Sequence, residues 1–150
     1  MSRRPDAWLL ALSGLSLFFG VLIYLLIRSA PTYFEEYLAY LLGDIFVLEL
    51  NIEVSRSIYL MWLNSHGADF FWMLSLSLGL FVFLKNLTPV ALRITAVSSL
   101  AMSIGVALEF FQWVGLMEGT ADLFDVITFG LAVGLSIFIS ERRMFRRINE

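Results

Sequence analysis

Apolar side chains fill four long windows of the chain, 7–27, 68–84, 90–113 and 121–139, and polar residues collect between them and at their ends. At 1.5 Å of rise per residue, helices of this length cross roughly 30 Å of hydrocarbon. The pattern therefore predicts an all-α fold: a polytopic membrane bundle of four transmembrane helices. The segment 29–67 is too long for a simple turn. Within it Phe34, Tyr37, Leu38, Leu41, Leu42, Ile45 and Leu48 recur at helical spacing, with Glu36, Tyr40 and Asp44 on the other face. That spacing predicts an amphipathic helix at the membrane interface outside the cytoplasm, or one packed over the bundle as a cap. A second apolar run, Ile58 to Leu63, is too short to cross, and Ser65-His66-Gly67 is expected to turn the chain into the second span.

Composition agrees with the pattern. Hydrophobic residues make up 59% of the 150 and charged residues 15%, where a soluble domain is nearer 45–50% apolar. The 150 residues are expected to form a single integral membrane domain, without internal repeats. The first window follows Arg3 and Arg4 as a signal peptide would. Its apolar run is long for a signal, however, and Arg28-Ser29-Ala30-Pro31 comes only after a full span, so a membrane anchor is expected. The absence of cysteine excludes disulfides, thiolate nucleophiles and cysteine metal sites.

Charge sign gives the bundle a direction. Arg3 and Arg4 precede the first window, Lys85 and Arg93 flank the link between the second and third, and Arg142, Arg143, Arg146 and Arg147 follow the fourth. Only Arg28 and Arg56 fall on the opposite side, with Glu35, Glu36, Asp44, Glu49, Glu53 and Glu118. By the positive-inside rule both chain termini are cytoplasmic, and the protein is a multi-pass protein of the plasma membrane. Trp62, Trp72 and Trp113 then fall near the outer interface and Trp8 near the inner one.

That topology brings the unusual polar residues to one membrane face. His66 and Asp69 open the second span, Glu109 and Gln112 lie toward the end of the third, and Asp122 and Asp125 open the fourth. Members of each pair are three residues apart and share a helix face. Turned inward, the three faces form an acidic pocket. A carboxylate inside a membrane costs roughly 2.5–3.5 kcal/mol even on the lenient insertion scale, so an intramembrane acid is a site hypothesis by default. Plainer readings stand beside this one. Asp122 and Asp125 suit the first turn of a helix, where Asp122 or Thr120 caps it, and Ser65 is available to cap the helix that Asp69 opens. Gln112 suits an interhelical hydrogen bond, and His66 an interfacial loop. Glu109 lies near a helix C-terminus, where the dipole disfavours negative charge. Gly130 and Gly134 form a small-xxx-small spacing that admits a close neighbouring helix, with packing inside the bundle favoured over a dimer.

The run Glu109-Phe-Phe-Gln112, then Gly119-Thr120-Ala-Asp122-Leu-Phe-Asp125-Val126-Ile127, then Gly130 and Gly134, resembles the C-terminal signature of the VanZ-like membrane proteins. Asp69 stands where that family carries an aspartate opening its second helix. The resemblance covers roughly 67–139. Where the family commonly has an arginine before the Thr-x-x-Asp stretch and an asparagine after the second aspartate, this chain has Gly119 and Phe129, and His66 precedes Asp69 where the family's histidine follows its aspartate. The resemblance implies a four-helix protein of cell-envelope biology, in a family named for an accessory role in glycopeptide-antibiotic resistance.

Three functions remain open on these residues. In the first, Glu109, Asp122 and Asp125, with Asp69, Gln112 and His66 around them, bind an envelope lipid or cell-wall precursor through a cationic group or a divalent ion. Oxygen ligands suit magnesium or calcium, with Glu109, Asp122 and Asp125 as the metal ligands. In the second, the bundle is a structural subunit that assembles with itself or another membrane protein. In the third, the carboxylates act as acid and base in a membrane hydrolase; no nucleophile motif accompanies them. The expected surroundings are the lipid bilayer, and no nucleic-acid partner is expected.

Overall fold

The computed structural model describes residues 6–27, 63–87, 89–117 and 121–148. The amphipathic helix expected within 29–67, the Ile58 to Leu63 run up to Trp62, and Thr120 lie outside the described residues. All described elements are helical: α1 (Asp6–Ile27), a π-helical turn (Leu63–Gly67), α2 (Ala68–Phe83), α3 (Val90–Trp113) and α4 (Leu123–Ile148). Four stretches, Ala7–Tyr24, Ser65–Phe83, Val90–Trp113 and Leu123–Glu141, are long and apolar enough to cross a membrane. They fit a multi-pass membrane protein. Only 11% of the first stretch is buried inside the protein. Leu10, Leu15, Phe18 and Phe19 stand exposed there, a continuous apolar face that water would not tolerate and lipid would.

Two boundaries differ from the sequence expectation. α4 continues past 139 to Ile148, because arginine and glutamate are good helix formers and the backbone need not stop where the apolar run stops. Ser65-His66-Gly67 is a helical turn, continuous with α2, instead of a loop. No side chain caps α2: its N-cap residue, Gly67, is itself in the right-handed helical region. A Cβ at Gly67 would lie 2.7 Å from Cδ1 of Leu63, so the widened turn is closed over a residue without a side chain.

α2 packs against each of the other three helices. Its contact with α1 is antiparallel and partly polar. The Ser13 hydroxyl donates to the carbonyl oxygen of Ser75 at 2.8 Å, and the Ser16 hydroxyl donates to that of Phe71 at 2.9 Å. Gly20 lets the helices approach there, since a Cβ would meet the Ala68 carbonyl oxygen and Phe71 Cβ at 3.3 Å.

The core lies between α2, α3 and α4 and contains Met73, Leu74, Leu78, Ala101, Phe129, Ala132 and Val133. The buried residues of α3 are Arg93, Val97, Ala101 and Gly105, a strict four-residue spacing that continues into Glu109. At Gly105 a Cβ would lie 2.6 Å from Cδ2 of Phe129 and 2.7 Å from Cε of Met73, so glycine is what lets α3 reach both neighbours. Gly130 and Gly134 are different. Both are exposed, and a Cβ at either would meet nothing within 4 Å among the described residues. Among the described residues no helix packs on these glycines, because the buried face of α4 runs through Thr128, Phe129, Ala132, Val133 and Ser136 and leaves them outward.

Candidate functional site

The π-helical turn, the end of α3 and the start of α4 meet at one end of the bundle. His66 and Asp125 are 59 residues apart in sequence, and Nδ1 of His66 lies 2.5 Å from Oδ1 of Asp125. With the carboxylate as acceptor, the imidazole carries a proton on Nδ1 and is held in one orientation. Asp125 is only 7% exposed. The Phe124 ring lies against the imidazole, with centroids 6.1 Å apart.

Beside this pair, α4 begins with an unusual cap. Asp122 is the N-cap residue, and its Oδ1 accepts the N–H of Phe124 at 2.9 Å. In a capping box, the residue three positions later would accept the N-cap residue's own N–H. That residue is Asp125, which is turned to His66. The Asp122 N–H donates instead to Oε2 of Glu109, from α3, at 3.0 Å. Glu109 thus supplies from another helix the acceptor that the local sequence has diverted. Its position near the C-terminus of α3 is unfavourable by dipole alone, but its oxygen is placed at the amino end of α4, where the dipole has the opposite sign.

The six residues singled out in the sequence are therefore placed unequally. His66, Glu109, Asp122 and Asp125 form one connected group around the start of α4. Asp69 is partly buried in the first turn of α2. Gln112 is partly buried near the end of α3, where its backbone carbonyl accepts the N–H of Gly115 at 3.0 Å. His66 pairs across the bundle with Asp125, a partner that its spacing from Asp69 does not indicate. Among the described residues, no group of three His, Asp or Glu is arranged so as to hold a metal ion. An open groove of about 510 Å³ lies elsewhere, on the outer face of α3, lined by Met102, Ser103, Val106, Ala107 and Phe110.

Sequence reading overlooked a second polar contact, at the other end of the bundle. Nη2 of Arg93 donates to Oε1 of Glu141 at 3.0 Å, and Nη1 donates to the carbonyl oxygen of Lys85 at 3.3 Å. Both side chains are buried. Arg93 served only as a topology marker in the charge pattern, and Glu141 stood at the edge of a basic run. The available signal was the spacing of α3, where a row of small residues four apart joins Arg93 to Glu109. The family models, curated proteins and solved structures compared with this chain yield no match.

Proposed function

We propose that this is a small plasma-membrane protein of the cell envelope, in a VanZ-like accessory role, with both termini cytoplasmic and the His66 end facing outward. The reading assigns to that end the binding of an envelope lipid or cell-wall precursor. The observation that carries it is the contact between His66 and Asp125, two titratable groups 59 residues apart in sequence that meet at one end of the bundle, inside otherwise apolar helices. Such groups are costly in a membrane and ordinarily mark a functional place. The carboxylates of Glu109, Asp122 and Asp125 gather around the start of α4, where Asp125 meets the imidazole, and Asp69 follows His66 by three residues, so the chemistry favours a ligand bearing an ammonium group. The resemblance of the Glu-x-x-Gln and Asp-x-x-Asp stretches to VanZ-like proteins supports the same reading.

A structural, assembly role is the second reading. Glu109 and Asp122 favour it, because their oxygens are engaged in starting a helix. Thermal unfolding in nanodiscs separates the two. If the binding reading holds, phosphatidylethanolamine raises the Tm of the wild type relative to phosphatidylglycerol, and Asp125→Asn abolishes the difference. An equal response of both proteins to both lipids removes the binding reading and leaves the assembly role.

A further inference from the structure

α4 outlasts its apolar stretch. The part long and apolar enough to cross a membrane ends at Glu141, whereas the helix continues to Ile148. The extension holds Arg142, Arg143, Arg146 and Arg147, and the sequence after Glu141 sets only one acid, Glu150, against them. Glu141 itself is already engaged, since it is buried and accepts a hydrogen bond from Arg93. This end of α4 is therefore strongly positive.

Depth follows from helical rise. With Glu141 at the edge of the hydrocarbon, positions 142–147 fall about 1.5–9 Å beyond it, and the headgroup layer on each side of a bilayer is about 5–8 Å thick. The four arginines thus stand at the level of lipid phosphates. Register divides them into two rows. Leu131, Leu135, Phe138, Arg142 and Arg146 succeed one another at spacings of four, three, four and four, which keeps these positions on one side of the helix. The first three are 61%, 38% and 50% exposed, on the face that lipid must cover. Arg143 and Arg147 instead follow Ser136 and Ser140, which are buried, at spacings of four, three and four. One row is apolar at the depth of the acyl chains and basic at the depth of the phosphates. The other continues the packed face.

We propose that the row from Leu131 to Arg146 seats an anionic phospholipid, with an acyl chain along Leu131, Leu135 and Phe138 and the phosphate at Arg142 and Arg146. Positions four apart on a helix are about 5–6 Å from each other, close enough for two guanidinium groups to share one phosphate, each donating paired N–H bonds to its oxygens. Charge selects the headgroup. A zwitterionic lipid brings its own ammonium or choline, which four arginines repel, whereas an anionic lipid brings no such cation. A soluble phosphate would meet the same arginines and gain nothing from the apolar part of the row. The seat lies at the end of the bundle remote from His66 and does not rest on the lipid-binding reading there.

The test is electron paramagnetic resonance of spin-labelled lipids in phosphatidylcholine vesicles holding the full chain, which separates lipid held against the protein from lipid in the bulk. At low ionic strength the wild type holds spin-labelled phosphatidylglycerol about five-fold more strongly than spin-labelled phosphatidylcholine. Joint replacement Arg142→Gln and Arg146→Gln brings that ratio close to one. Joint replacement Arg143→Gln and Arg147→Gln, which removes the same charge from the other row, keeps most of it. Both pairs lie beyond the apolar stretch, and unchanged helicity by circular dichroism verifies that each variant folds. Equal retention of the two lipids by the wild type, as a soluble anionic partner for the arginines would give, overturns the proposal, and so does an equal loss in the two variants. In 1 M salt the preference is screened, so the ethanolamine-dependent Tm difference assigned to the His66 end is read there without it.

Discussion

Arg93 and Glu141 lie 48 residues apart in sequence and meet at 3.0 Å inside the protein, joining the first turn of α3 to the far half of α4. The geometry is that of a buried pair, in which the cost of desolvating the two charges is offset by their mutual attraction and by the added bond from Arg93 to the Lys85 carbonyl. Removing one partner leaves the other charge buried without compensation. Arg93→Leu and Glu141→Leu are each expected to destabilise the bundle by about 3–5 kcal/mol, and the double variant is expected to recover most of that loss. Chemical unfolding in detergent measures all three. Additive losses in the double variant would show that the two side chains do not act as a pair.

The shared cap of α4 makes a second expectation. Asp122→Ala removes a side-chain cap and is expected to cost about 1 kcal/mol, whereas Asp122→Asn retains an acceptor oxygen and costs little. Glu109→Ala leaves the Asp122 N–H without its acceptor, a loss of about 1–3 kcal/mol, while Glu109→Gln keeps a carbonyl oxygen in place. Thermal unfolding compares the four. If Glu109→Gln proves as damaging as Glu109→Ala, then charge at that position matters more than capping.

Glycines provide a contrast within one protein. Gly105→Ala places a methyl group against the Phe129 ring and is expected to cost about 1–3 kcal/mol. The loss should be relieved by Phe129→Leu, which withdraws the ring. Gly130→Ala enters open space on a helical backbone and is expected to stabilise by about 0.5–1 kcal/mol. A loss of stability in Gly130→Ala would place a neighbour on that face.

The four helices were legible in the sequence because length and apolarity alone decide them, and 90–113 agrees with α3 at both ends. Which face each helix buries was not legible. A helix that is apolar all round gives no stripe to read, so packing inside the bundle was expected of Gly130 and Gly134, whereas among the described residues they face away from the other helices. Asp122 as the cap of α4 could be read from local chemistry, since N-capping needs only neighbouring residues. The partner of His66 could not, because it depends on a π-helical turn that carries the ring toward α4 and on Asp125 being released from the capping box. Arg93 and Glu141 show the same limit. Each looked like a surface charge next to other charges, and only the packing of α3 on α4 puts them out of water.

α3 and α4 are fastened near both of their ends, by Glu109 on Asp122 and by Arg93 on Glu141. Slippage of either helix by one turn, about 5.4 Å along its axis, would unfasten both clasps at once and leave an amide, a guanidinium and two carboxylates stranded in oil. The hairpin they form therefore behaves as a single stave. Among the described residues, sliding α3 along α4 is thereby opposed from both ends.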